Sequence, residues 1–292
     1  MKIGIGLPNT TTPAATGKLI VEWAKRAEER GFSSLATIDR IAFHSHDTFA
    51  VLAAAAAVTE RVGLFPNILL APTRSTALLA KEAVTVDHIS GGRLSLGLGV
   101  GGRQDDFELA GFGFSDRGKR FDRQLSDLRA VFDGKALPGF DGQVAPDPVR
   151  PGGPPIVIGG TADVAIRRVA EHGIGWTAGG APPEVVLPYV ERVREAWQEA
   201  GREGRPYIYA LSYFGLGDEH VDASKQSILS YYSYFGERVV AFADSIPRTP
   251  EAIAERQAKY EEAGVDEVIW DPTVPDLDQV DRLAEAVLEA RS

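Results

Sequence analysis

Asp39 and Arg40 are the first residues of this chain that invite chemistry. They directly follow Ser34 to Ile38, a run whose apolar character predicts a buried strand. Packing alone gives no reason for a carboxylate beside a guanidinium there. The pair is either an internal ion pair or faces a ligand, because a barrel strand's C-terminal end is where chemistry sits. His44, His46 and Asp47 follow within a few residues. Two histidines in a loop with no third ligand in sight do not make a metal site, so no metal is expected. They read as loop histidines, with His44 a candidate substrate contact. Arg74, just after another apolar run, could bind a carboxylate or phosphate, or cap a neighbouring helix.

Two glycine turns come next. Gly97-Leu98-Gly99-Val100-Gly101-Gly102 matches the spacing G-x-G-x-x-G after a strand. A dinucleotide loop would follow the first strand, whereas this one follows the fourth, and Asp105, Asp106 and Glu108 behind it would repel a pyrophosphate. Close backbone approach is the better use of Gly99, either to a flat ligand or between elements. Gly159-Gly160-Thr161 joins a strand to a helix. Here glycines, a hydroxyl that could serve as N-cap, and free helix N–H groups suit a phosphate, and a plain tight turn explains the residues equally well. The aromatic run Tyr231, Tyr232, Tyr234 and Phe235 could line an apolar pocket or pack as an ordinary helix. No G-x-S-x-G or Walker-type motif occurs.

The elements that must position these residues recur along the chain. Apolar runs predict strands at Lys2 to Leu7, Ser34 to Ile38, Val62 to Leu69, Arg93 to Leu98, Pro155 to Ile158, Gly175 to Ala178, Pro206 to Leu216 and Asp266 to Trp270. Helical patterns fall between most of them and after the last, Asp276 to Ala290. Eight near-continuous apolar strands alternating with helices predict a (β/α)8 TIM barrel with loop insertions at its C-terminal face. A doubly wound open sheet is the rival arrangement. The stretch from Asp133 to Pro155 is rich in glycine and proline and is expected to cross the barrel as an ordered loop or to form a lid. Substrate choice is expected from Ile41 to Asp47, Gly139 to Gly153 and Tyr213 to Asp244, with Arg103 and Tyr213 as candidate pocket residues.

Composition excludes several classes. The chain has 292 residues, read as a single domain over 1–292, with 41 acidic against 31 basic residues and a formal net charge of −10. That balance argues against a nucleic-acid or anionic-membrane partner. Cysteine is absent, which removes disulfides, thiolate metal sites and a cysteine nucleophile, and fits a cytoplasmic location. The N-terminus does not read as a secretory signal, and the longest apolar stretch, Phe49 to Val58, is too short to span a bilayer.

The stretch LLAPTRSTALLAKEAVTVDHISGGRLSLGLGVGG, Leu69 to Gly102, resembles the signature of the bacterial luciferase-like flavin-dependent oxidoreductases. GIGLP near the start, PIVIGGT and Gly175-Trp176 match as well, so the resemblance covers nearly the whole chain. It implies the same barrel and an oxidoreductase or monooxygenase using reduced FMN, or in a large branch the deazaflavin coenzyme F420, bound at the C-terminal mouth. By this resemblance the phosphate lies against Gly159, Gly160 and Thr161. The ring rests on a bulge in strand three with a cis bond between Asn67 and Ile68, and Asp39 stands beside it. Many relatives carry Asp-His where this chain has Asp39-Arg40. A histidine there can exchange protons; Arg40 keeps its charge and is assigned instead to steadying an anionic ring or substrate. Near Val100 to Arg103 relatives differ too, with Arg103 a candidate substitute. The resemblance also implies a homodimer and a separate flavin reductase as partner. A non-catalytic flavin-binding barrel and an unrelated barrel acting on a phosphorylated substrate are the remaining alternatives.

Overall fold

The computed structural model describes residues 1–289. The end of the final predicted helix, Ala290, lies outside the described residues. Nine strands, all paired in parallel, form one sheet: β1 Lys2–Gly6, β2 Ser34–Thr37, β3 Gly63–Pro66, β4 Leu69–Leu70, β5 Leu96–Gly99, β6 Ile156–Gly159, β7 Gly175–Thr177, β8 Tyr207–Phe214 and β9 Glu267–Pro272. Their order, β3-β2-β1-β9-β8-β7-β6-β5-β4, starts and ends on consecutive segments, and a bridge between Leu64 and Leu94 brings the two edges together. The sheet is therefore a nearly closed TIM barrel, as the strand count predicts.

The count differs by one for a local reason. The expected third strand, Val62 to Leu69, is interrupted after Pro66, and its two pieces pair with different neighbours: β3 with β2, and β4 with β5. The peptide bond between them, Asn67–Ile68, is cis, as the resemblance implies.

Helices α1 Gly17–Arg30, α2 Thr48–Val58, α3 Thr76–Ile89, α4 Gln104–Ala110, α5 Arg117–Phe132, α6 Asp163–His172, α7 Pro183–Glu199, α8 Val221–Tyr231, α9 Arg238–Asp244, α10 Pro250–Glu262 and α11 Asp278–Val287 complete the described chain. The sequence explains their ends. Thr16 caps α1 by accepting from the Leu19 N–H, and Gly31 closes it at φ 91°, a left-handed conformation that glycine adopts without a Cβ penalty. Asp47 caps α2 and Ser75 caps α3 in the same way. Each amphipathic helix turns its apolar stripe to the barrel wall, as α1 does with Ile20, Trp23, Ala24 and Ala27. Inside the barrel, Ala36, Phe65, Val157, Tyr209 and Ile269 form a separate apolar cluster.

One expectation is corrected here. The Asp133 to Pro155 segment lies at the rim opposite the mouth. It connects the end of α5 to the start of β6, and Arg150 Nη2 donates to Leu94 O, just before β5. His88 Nε2 meets Asp147 O at the end of α3. Gly139 to Gly153 therefore cannot shape a substrate pocket at the C-terminal ends of the strands, because a helix-to-strand connection returns to the N-terminal face. Among the described residues, no helix is long and apolar enough to cross a membrane.

Candidate active site at the barrel mouth

Two strand ends place the charged residues. Asn9, beyond β1, donates through Nδ2 to Ile38 O at 2.7 Å and accepts from Ile38 N at 3.2 Å. This clamp fixes the backbone where β2 ends and sends Asp39 and Arg40 to different partners. Asp39 accepts from Leu70 N at 2.9 Å and from Arg74 Nη1 and Nη2 at 2.6 and 2.9 Å. Arg74 is thus committed to an internal ion pair with Asp39 rather than to a ligand's anion or a helix end. Such two-pronged pairing satisfies most of a buried carboxylate's acceptor capacity.

Arg40 turns the other way. Its Nε donates to both oxygens of Asp106 at 3.1 and 2.8 Å, and Nη2 donates to Ala42 O. Asp106 also accepts from the N–H groups of Ile41 and Ala42, so the acid on α4 folds the post-β2 loop around itself. The guanidinium carbon stands 5.6 Å from the Phe43 ring centre and 5.4 Å from that of Tyr231. Its Nη1 is buried with no hydrogen-bond partner.

Asn67 is the second donor of this kind. Its Oδ1 accepts from Thr177 Oγ1 at 2.8 Å, and its Nδ2 is buried without a partner. Asn67 and Arg40 both line a cavity of about 240 Å³ at the mouth, together with Ile68, Leu211, Tyr213 and Gly180 among others. Buried polar groups are nearly always hydrogen-bonded, so two idle donors on one cavity wall mark where a ligand's acceptors belong.

The remaining predicted residues separate into those at the cavity and those away from it. Tyr213 and Arg103 line it. Tyr213 OH lies 2.7 Å from Tyr232 OH, and burial pushes both phenols up, so they keep their protons at neutral pH. Arg103 is ion-paired with Asp105, and its guanidinium carbon is 4.4 Å from the Tyr234 ring centre. Tyr231, Tyr232 and Tyr234 line the cavity as well, so the aromatic run is a pocket wall. His44 does not line the cavity: its Nε2 meets Thr12 Oγ1, while His46 meets Ala15 O, and both rings tie the loop after β2 to the β1–α1 connection.

Gly99 takes the second of its two readings, close approach between elements. A Cβ there would lie 2.0 Å from Ile68 Cδ1, and one on Gly159 would lie 3.0 Å from the same atom. The two glycines make room for Ile68 inside the barrel. At the other turn, Gly160 has φ 120° and accepts from Trp176 Nε1 at 2.8 Å. Thr161 is not the N-cap of α6. Ala162 holds that position with no side-chain cap, because the helix starts one residue later than the pattern suggests. The first-turn N–H groups are thus free of any side-chain acceptor. Asp163 in that turn is drawn into an ion pair with Arg192.

Sequence reading gave Asp106 no role beyond repelling a pyrophosphate and passed over Thr177 and above all Asp271. Asp271 is the penultimate residue of β9 and is 2% exposed, and its Oδ1 has no partner. A Cβ on Gly6 would lie 2.0 Å from that oxygen, so β1 passes directly against the carboxyl. Burial raises its pKa well above the usual carboxylate range. The signal was present, since an acid at the end of a buried apolar strand is what singled out Asp39.

The family described as luciferase-like monooxygenase has a model that matches residues 1–268. An uncharacterised protein of Mycobacterium tuberculosis, Rv0940c, is 32% identical over 223 residues, covering 66% of this chain and 76% of the relative. Among solved structures, monooxygenase RslO1 from Streptomyces bottropensis superposes with a TM-score of 0.82 at 22% identity, over 100% of both chains. An F420-dependent secondary alcohol dehydrogenase, solved with an F420-acetone adduct, gives 0.78 at 17% identity over 100% of this chain and 99% of that one. The oxygenating constituent of 3,6-diketocamphane monooxygenase from Pseudomonas putida, solved with FMN, gives 0.73 at 15% identity over 98% and 95%.

Proposed function

Since the chain belongs to the luciferase-like monooxygenase family, we propose that it is an oxidoreductase that uses reduced FMN to oxidise a small organic molecule at the barrel mouth. The observation that carries this reading is the pair of idle buried donors, Asn67 Nδ2 and Arg40 Nη1, on one cavity wall. A tricyclic ring rimmed with carbonyl and imine acceptors matches them in kind. The uncapped start of α6 beside Gly159-Gly160-Thr161 suits the phosphate end, because helix N–H groups and the helix dipole favour an anion. The residues present therefore fit the group.

When bound, FMN supplies the redox chemistry. The protein's own residues would do the rest. Asn67 would orient the ring through its free N–H, with Thr177 fixing the amide the right way round. Arg40 is held by Asp106 with one N–H edge to spare, and would steady negative charge at the ring or substrate without giving up a proton. The Asp39–Arg74 pair would hold the end of β4, through Leu70, at the height the ring requires. Of the Tyr213–Tyr232 pair, the hydroxyl hydrogen not used between the two would be donated to substrate oxygen.

A second reading is a deazaflavin enzyme that transfers hydride directly, favoured by the F420-dependent dehydrogenase that shares the fold over the whole chain. Calorimetric titration with reduced FMN, oxidised FMN and F420 separates the two. Tightest binding of reduced FMN supports the first reading, and tightest binding of F420 supports the second. If none of the three binds, both fail. With FMN as cofactor, a separate reductase and a second copy of this chain belong to the same proposal.

A further inference from the structure

The mouth cavity does not end at the tyrosines. On their outer side lies a second, larger cavity of about 470 Å³, walled by Ala181, Pro182, Tyr232, Phe235 and Phe242 with Arg238 at its edge. The two cavities share Gly180 and Tyr232. Gly180 is the doorway: a Cβ there would stand 3.5 Å from Tyr213 Cε2 and 3.8 Å from Tyr232 OH. The walls are rings in complementary orientations. Tyr232 stacks on Phe235 at 5.1 Å between centres, while Phe242 meets Tyr232 and Tyr213 edge-on at 5.1 and 5.9 Å. Tyr234 and Phe235 remain 50% and 44% exposed, an open aromatic edge beside the opening.

We propose that this outer groove is the substrate site, and that it takes an uncharged planar aromatic compound carrying a hydroxyl or carbonyl oxygen directed past Gly180 towards the mouth. The inference rests on the proposed function for what happens at the inner end, while the recognition itself stands on the groove. Flat rings give the largest contact with ring-lined walls, in stacked and edge-on arrangements. The Tyr213–Tyr232 pair uses one hydroxyl hydrogen between its members and leaves the other for a ligand oxygen. An anionic substrate finds no unmatched cation at the inner end, where Arg40 has one N–H to spare but its charge is taken by Asp106. Arg40, Arg74 and Arg103 are already matched by Asp106, Asp39 and Asp105.

The test uses the cofactor-free protein and 2-naphthol as a fluorescent probe, with cyclohexanol and 2-naphthoate as comparisons. Saturable 2-naphthol binding, not displaced by cyclohexanol, is expected. Gly180→Val closes the doorway at an exposed position and should weaken 2-naphthol about tenfold. Phe242→Ala should weaken the probe several-fold. Tyr232→Phe should weaken 2-naphthol and leave naphthalene unchanged. Unaltered 2-naphthol binding in both Gly180→Val and Phe242→Ala overturns the proposal. So does 2-naphthoate binding more tightly than 2-naphthol and losing that advantage in Arg238→Ala, which would make the site one for anions. Naphthol binding without FMN or F420 binding would leave the groove standing and remove the proposed reaction; the reverse would remove only the groove.

Discussion

β9 carries a buried acid at each end, and the two are treated in opposite ways. Glu267, at the N-terminal rim, accepts from Ser33 Oγ and Ser34 Oγ at 2.6 Å and from Tyr207 OH at 3.1 Å. Asp271, four residues on at the mouth, has an oxygen with no partner at all. The contrast extends around the barrel. At the lower rim Arg93 spends its guanidinium on four backbone carbonyls and the Thr59 hydroxyl. At the upper rim Arg40 Nη1, Asn67 Nδ2 and Thr37 Oγ1 are idle. Satisfied buried groups hold a fold together, whereas idle ones cost stability unless something else completes them. At these positions the lower rim is built for stability and the mouth for a ligand; Asp87 at the lower rim, with no hydrogen-bond partner and only Arg150 at 3.7 Å, departs from the pattern.

The sharpest way to break that division is the one mouth pair that is fully satisfied. Arg74→Ala leaves Asp39, whose side chain is 2% exposed, without its counter-charge. Removing one member of a buried pair costs about 3–5 kcal/mol. Urea denaturation should register that loss, and the displaced Leu70 N–H should weaken FMN binding too. A variant that kept full stability would mean that Asp39 is not the structural anchor of the mouth.

Glu267→Ala comes next. It strands up to three hydroxyl donors beneath the barrel and should cost about 1–3 kcal/mol of stability. Cofactor affinity should stay as in the wild type, because the change is at the other rim. A matching fall in affinity, measured by calorimetry, would show that the two rims are not independent.

Much of this arrangement was legible in the sequence. The succession of apolar runs predicts the barrel, and the Asp39-Arg40 dipeptide marks the mouth. The resemblance pointed to the cis bond at Asn67–Ile68. What stayed hidden is contact between distant segments. Nothing local to Arg40 says that Asp106, 66 residues on, will hold it. Nothing in the Gly-Pro stretch after Asp133 says which rim it lies on, which follows only from its lying between a helix and the next strand. Gly99 left open whether a ligand or another element approaches it, because its neighbour in space, Ile68, is remote in sequence. Asp271 was missed although its context, an acid after an apolar strand, equals that of Asp39.

Asn67→Ala tests an idle donor directly. The lost Nδ2 has no protein partner, so the stability cost is limited to the Thr177 hydroxyl it strands, about 1 kcal/mol. FMN affinity should fall about tenfold, equivalent to about 1.4 kcal/mol. The division between rims predicts that affinity suffers at least as much as stability. A loss confined to stability would place the ring elsewhere.

The smallest step, taken one pH unit at a time, separates the two ends of β9 by titration. Burial raises the Asp271 pKa in the folded protein above its unfolded value. Burial is the cause; the groups near it are the neutral phenols of Tyr213, Tyr231 and Tyr232, which its charge would push up further, with Gly6 on the β1 side. The folded state therefore holds this proton more tightly than the unfolded chain does. Its contribution to stability is fully present below the unfolded pKa, near 4 for an aspartate. It is lost as pH rises from there through the folded pKa, at up to about 1.4 kcal/mol per pH unit. Asp271→Asn has the same shape and no titrating proton, so its stability should fall less steeply over that window and exceed that of the wild type above it. Denaturant midpoints measured from pH 4 upward check both statements. Parallel curves for the two proteins would mean that Asp271 finds a partner in solution, and the contrast between the two acids of β9 would vanish.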